Sequence, residues 1–226
     1  MLDLRFSPEA RQSLLRSRYA VIEEAIDPET CALWRTTALQ LAQRHAQPIE
    51  RQSDGHLLRY QVVPGEAVRD HWLELFDFYS AAQTREWVRR VTGAEAIFPS
   101  PHLRSAVNIN LMCEPGEVYR WHFDAVPYTA LLYLTTSAPE DGGALEFYPD
   151  VIARGDGQPD LRNREKISLL PRAGMLVLMD GTRCYHRVAP ILRSHIRLCI
   201  PMVFPNSAAH ERPGELDSYL YAGQPQ

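Results

Sequence analysis

After Gly93 the chain changes period, and that change constrains its fold more than any other feature of the 226 residues. Val107, Ile109 and Leu111 alternate with Asn108, Asn110 and Met112, the period of two that sends successive side chains to opposite faces of a strand. Segments 128–135, 144–148, 166–170, 174–179 and 196–204 also read as strands. Turn signals separate them: Pro115-Gly116, Asp141-Gly142-Gly143, Gly155-Asp156-Gly157 and Asp180-Gly181. Many short strands closed by tight turns and preceded by helices predict a β-sandwich or jelly roll with helices packed outside it. The polar stretch from Arg154 to Lys166 is expected to be a mobile loop.

The first ninety residues read as helical. Ser7-Pro8-Glu9 and Asp27-Pro28-Glu29 each offer an N-cap oxygen, a proline at the first helical position and an acid in the first turn. Leu14 and Leu15 follow the first signal; Leu33, Trp34, Ala38, Leu41 and Ala42 recur at helical spacing behind the second. Tyr19–Ile22 between them is a strand candidate. A third helix is expected from about Asp70 to Gly93, carrying Trp72, Leu75, Phe76, Tyr79, Ala82 and Val88. Residues 48–66, with Pro48, Asp54-Gly55 and Pro64-Gly65, read as a long loop or irregular hairpin. The chain is thus expected to form one domain over 1–226: a mostly helical part (1–94), a β core (95–206) and a C-terminal tail (207–226).

Composition narrows the function classes. With 24 basic and 28 acidic residues, a net charge of −4 argues against a nucleic-acid or anionic-membrane partner recognised through the whole surface. Apolar runs such as Ala130 to Leu134 and Met175 to Met179 fall far short of the ~20 residues that span a bilayer. The opening MLDLRFSPEA lacks the apolar stretch of a secretory signal, and Cys31, Cys113, Cys184 and Cys199 show no metal-binding or disulfide-framework spacing. Reduced thiols in a cytoplasmic protein are the expectation.

Three elements carry chemistry. In His122-Phe123-Asp124 an imidazole and a carboxylate two residues apart project from one face of a strand, an arrangement that serves a metal or a plain hydrogen-bonded pair equally. His186 follows the doubly apolar strand Gly174–Met179 and would complete two imidazoles and one carboxylate. That set occupies one face of an octahedral metal and leaves the other face open, as in non-haem Fe(II) oxygenases. Arg197, eleven residues on, has the parity opposite to Ile196, Leu198 and Ile200, so its guanidinium would reach solvent or line a cleft and meet a carboxylate there. Around these, Arg120 shares the parity of His122 and Asp124, and Asn108 and Asn110 face either cleft or water. Trp121, Phe123 and Tyr133 read as packing, and Arg187 and Arg193 are reserve arginines. The other histidines show no ligand spacing.

Taken in order, Tyr119-Arg-Trp-His122-Phe-Asp124, Gly142-Gly143-x-Leu145, Gly174-x-Leu-Val-Leu, His186-Arg-Val-x-Pro190 and Arg197 resemble the Fe(II)/2-oxoglutarate-dependent oxygenases. The likeness covers about residues 95–206, and Tyr19-Ala-Val-Ile-Glu…Asp27-Pro-Glu-Thr-Cys31 is similar to how many members begin. The resemblance implies a double-stranded β-helix of the cupin or jelly-roll type flanked by helices, in one catalytic domain. It implies Fe(II) held by His122, Asp124 and His186, with 2-oxoglutarate and O2 as cosubstrates. Arg197 would pair with the distal carboxylate of 2-oxoglutarate and Asn110 with its C1 carboxylate, while Arg120 and Asn108 contact substrate. A halogenase of the superfamily replaces the carboxylate ligand with a small residue; Asp124 is present, so hydroxylation of a small polar molecule such as a free amino acid is expected. Alternatives left open are a peptidyl or carrier-tethered substrate, and a cupin-like iron/2-oxoglutarate sensor without turnover.

Overall fold

A computed structural model describes residues 7–53, 56–152 and 159–208. The helical part begins with α1 (Pro8–Ser17), β1 (Tyr19–Ile22) and α2 (Pro28–His45). Both cap signals are realised: Ser7 Oγ accepts from Ala10 N at 3.1 Å and Asp27 Oδ1 from Thr30 N at 2.8 Å. Within the stretch read as a long loop or irregular hairpin, β2 (Gln47–Ser53) and β3 (His56–Val63) pair antiparallel, Gly65 and Glu66 open the next helix, and Asp54-Gly55 lies outside the described residues.

The expected third helix is three: α3 (Gly65–His71), α4 (Leu73–Ser80) and α5 (Ala82–Thr92), the last closed by Gly93 at φ +75° as its sequence suggests. Trp72 (φ −140°) breaks the first join while its indole packs edge-on against Trp34, ring centroids 5.4 Å apart. At the second, Ser80 Oγ donates to Phe76 O and Thr84 Oγ1 to Phe78 O, occupying carbonyls at the α4 C-terminus where the chain turns at Ala81. Leu33, grouped with the buried face of α2 by spacing, is 59% exposed.

After α6 (Leu103–Ala106) come β4 (Ile109–Met112), β5 (Tyr119–His122), β6 (Tyr128–Tyr133), β7 (Leu145–Tyr148), β8 (Ile167–Leu169), β9 (Leu176–Asp180), β10 (Tyr185–Val188) and β11 (Arg197–Phe204). They build two antiparallel sheets, β1-β9-β6-β11-β4-β3-β2 and β5-β10-β7-β8, the double-stranded β-helix arrangement. Alternation assigns each face. Leu132, Leu176, Leu178, Leu198, Ile200 and Phe204 of the large sheet pack against helix residues including Trp34, Leu75 and Tyr79. Leu131, Tyr133, Val177 and Cys199 face the other way, onto Leu145 and Phe147 of the small sheet. Each such large side chain contributes roughly 1.5–3 kcal/mol through burial, so the two layers fix the strand register.

Ile196, used to set the parity of the last strand, lies before β11 and is 44% exposed; Leu198 and Ile200 carry the parity argument. The four cysteines are free thiols, and among the described residues no helix is long and apolar enough to cross a membrane. Of the stretch expected to be mobile, residues 154–158 lie outside the described residues, as do residues 209–226 of the tail.

Candidate metal and cosubstrate site

A cavity of about 180 Å³ lies between the sheets. One of its walls is metal-like. His122 on β5 and His186 on β10 are direct cross-strand partners, which brings their ring centroids to 4.1 Å. Asp124 lies past the end of β5, so strand parity does not position it. Its backbone N–H instead donates to Gly181 O at 2.9 Å, which turns the carboxylate back toward the imidazoles. Asp124 Oδ1 is 3.5 Å from His122 Nε2 and 3.7 Å from His186 Nε2. The three ligand atoms lie within 4.8 Å of one another, and among the described residues no other such group of His, Cys, Asp or Glu occurs.

The protonation states suit a metal. His122 Nδ1 is 2.9 Å from Arg120 O, and His186 Nδ1 is 2.8 Å from Cys184 O. A carbonyl only accepts, so each Nδ1 carries a proton and each Nε2 is the ring atom left to face a metal. Burial, then the neighbouring His122, push His186 down to about 4 against the pull of Asp124, leaving the ring neutral near pH 7. Burial works to raise the Asp124 carboxyl, but His186, His122 and the Thr129 hydroxyl outweigh it and hold the group well below the usual carboxylate range. Two imidazole nitrogens and one carboxylate oxygen are a donor set that Fe(II) accepts, and the cavity lies on their open side.

Arg197 opens β11 on another part of the same cavity and is 2% exposed. Its Nε donates to Gly143 O at 2.7 Å and its guanidinium lies over the Tyr133 ring at 5.3 Å. Gly143 (φ +69°) has to be glycine, since a Cβ there would meet Arg197 Cδ and Ile191 Cδ1 at 2.8 Å. Asn110, Cys199 and Tyr133 form one row across β4, β11 and β6, and all three line the cavity. Asn108 Oδ1 and Asn110 Oδ1 are buried without a hydrogen-bond partner, which is how a polar ligand's vacant contacts would look.

The structure therefore gathers all seven sequence-predicted site residues, His122, Asp124, His186, Arg197, Asn110, Asn108 and Arg120, on one cavity. Of the reserve arginines, Arg187 is on its wall but bound to Glu146 at 2.6 Å and stacked over Trp121, and Arg193 is elsewhere, bound to Asp141. Phe123 and Tyr133, read as packing, both line the cavity: Phe123 follows the last strand residue, and Tyr133 is core and wall at once. Thr129, Gly143 and Gly181 were legible only as a strand residue and two turn glycines; nothing local in the sequence marks them as neighbours of Asp124 and Arg197. None of His45, His71, His102 and His195 lines the cavity; the side chain of His56, and His210, lie outside the described residues.

A family model described as Halogenase D matches residues 3–219. The chain belongs to the Halogenase D family. Its fold is that of the Fe(II)/2-oxoglutarate-dependent oxygenases. It is similar to the non-heme alpha ketoglutarate dependent carbocyclase SnoK from nogalamycin biosynthesis: TM-score 0.73 and 18% identity over 100% of this chain and 94% of that one. A Pseudomonas putida prolyl-4-hydroxylase aligns with TM-score 0.60 and 20% identity over 88% of this chain and 98% of that one. EctD from S. alaskensis, with bound Fe, aligns with TM-score 0.67 and 15% identity over 99% and 86%. No curated protein matches the sequence.

Proposed function

We propose that this Halogenase D family member is an Fe(II)/2-oxoglutarate-dependent oxygenase that hydroxylates an unactivated C–H bond of a small polar molecule such as a free amino acid, with the whole chain acting as one catalytic unit. The observation that carries the reading is the convergence of His122 Nε2, His186 Nε2 and Asp124 Oδ1 on a cavity that also contains the buried Arg197. Iron, when bound, couples oxidative decarboxylation of 2-oxoglutarate by O2, to succinate and CO2, to oxidation of the substrate.

Each residue has a physical task in this reading. His122, Asp124 and His186 hold the metal from one side and leave its other side to the cavity. Arg197 neutralises the distal carboxylate of 2-oxoglutarate through its planar fork of donors, and the Asn110 amide meets the C1 carboxylate. Arg120 and Asn108 hold polar groups of the substrate. Leu131, Val126 and Leu145 supply apolar wall that keeps water away from the reacting carbon. The family's name points to halogenation. That chemistry needs a free metal position for halide, and here the Asp124 carboxylate faces the two imidazoles where the halide would enter. Hydroxylation is accordingly the proposed outcome. The four free thiols fit a reducing, cytoplasmic setting.

The test is a screen of small polar molecules for substrate-dependent succinate formation, read by product mass. A gain of 16 supports hydroxylation, and a chlorinated product would overturn it. Activity confined to peptide or carrier-bound substrates would shift the substrate class, and binding without substrate-coupled succinate would favour a sensor.

A further inference from the structure

Asp124 is gripped from two directions by residues with no part in the reading above. Thr129, at the start of β6 and 4% exposed, donates its hydroxyl hydrogen to Asp124 Oδ2 at 2.6 Å. The other oxygen, Oδ1, faces His122 Nε2 and His186 Nε2. The two carboxylate oxygens are thereby made unequal: one bonded to the protein, one turned to the imidazole nitrogens. On the far side stands Gly181. A Cβ there would lie 2.6 Å from Asp124 Cβ and 2.8 Å from its Cγ, and closer still to Oδ2. Gly181 is not in the left-handed region, so its conformation does not call for glycine; the space taken by the Asp124 side chain does. Backbone bonds pin the arrangement, Asp124 N to Gly181 O at 2.9 Å and Gly181 N to Pro127 O at 2.8 Å.

We infer that Thr129 and Gly181 are positioning residues that make Asp124 a one-oxygen ligand, Gly181 by vacating the space the carboxylate fills and Thr129 by holding Oδ2 back from the metal. This rests on Asp124 being a ligand. The consequence is a count of positions. A carboxylate bound through one oxygen, with two imidazoles, leaves three octahedral positions, which suffice for a chelating keto acid and dioxygen; bound through both oxygens it would take one of those three. A side chain at position 181 cannot coexist with the Asp124 carboxylate where it now sits, so the glycine is part of what keeps this site a three-ligand site.

The experiment uses Co(II) under nitrogen as the probe, so that no turnover is involved. Thr129→Val keeps the shape and deletes the donor. It should weaken Co(II) binding about 10–100-fold and alter the visible d–d spectrum of the bound ion, while Thr129→Ser restores both. Gly181→Ala should lower the melting temperature of the metal-free protein by roughly 5 °C, and by no more than about 1 °C when placed on Asp124→Gly, where the clashing atoms are gone. Wild-type affinity and spectrum in folded Thr129→Val would overturn the role of Thr129. An equal cost of Gly181→Ala with and without the Asp124 side chain, measured on metal-free protein even if Thr129→Val does not fold, would overturn that of Gly181. Unchanged Co(II) binding by Asp124→Gly would sink the ligand reading itself, a separate failure.

Discussion

Replacing Arg197 by methionine removes a buried charge while keeping most of the side chain's volume, and it separates two quantities that most substitutions change together. In the ligand-free protein the guanidinium is 2% exposed, with one bond to Gly143 O and the Tyr133 ring beneath it. Its loss there forfeits about 1 kcal/mol of hydrogen bond but also relieves the cost of a desolvated cation, so the melting temperature should hold or rise. With 2-oxoglutarate present, the same change leaves the distal carboxylate buried without a counter-charge, at about 3–4 kcal/mol, or two to three orders of magnitude in affinity. The assay is anaerobic calorimetry with Mn(II) in the site, titrating 2-oxoglutarate and, in parallel, 2-oxobutanoate, which keeps the chelating end and lacks the distal carboxylate. Wild-type protein should strongly prefer 2-oxoglutarate, and Arg197→Met should erase the preference while binding 2-oxobutanoate as before. A variant that still binds 2-oxoglutarate within about fivefold of wild type would refute the assignment and move attention to Arg187, the reserve arginine on the cavity wall.

Two further outcomes follow from the same site. Asp124→Gly should bind iron more weakly and hydroxylate at least ~100-fold more slowly, checked by product mass spectrometry at high chloride with iron content measured on the same sample; chlorination is not expected, since a halide also needs donors around it. His186, held at about 4 against an ordinary 6.5, takes up its proton in the unfolded chain first as pH falls, so stability of the metal-free protein is full above about pH 6.5 and declines toward pH 4. Melting curves across that range should show the decline, and His186→Gln should flatten it.

The helix starts and the alternating strand were legible because capping and alternation are local, whereas β1, β2 and β3, which come from the part read as mostly helical, belong to the large sheet. Ser7 and Asp27 cap their own helices, and Val107 to Met112 alternate within one strand. The cluster of His122, Asp124 and His186 was legible for a different reason: residue types scarce in a β core stood in order among turn signals. What stayed hidden depends on pairing. Strand β10 is four residues with no apolar alternation, held by β5 and β7 on either side, and its register with β5 is what sets His186 opposite His122. Asp124 reaches the site through the backbone of Gly181, fifty-seven positions away, so the strand parity used to align it with His122 gave the right neighbour by another route. The first break in the expected helix turns on Trp72 finding Trp34, again a contact between distant segments.

The central claim, that His122, Asp124 and His186 would hold an iron that 2-oxoglutarate chelates in this cavity, is tested most directly by visible absorption under nitrogen. Wild-type protein given one equivalent of Fe(II) and then 2-oxoglutarate should develop the weak charge-transfer band of an iron-chelated keto acid, and His122→Ala and His186→Ala, folded by circular dichroism, should not. A band of wild-type intensity at one bound iron in either variant would contradict the account.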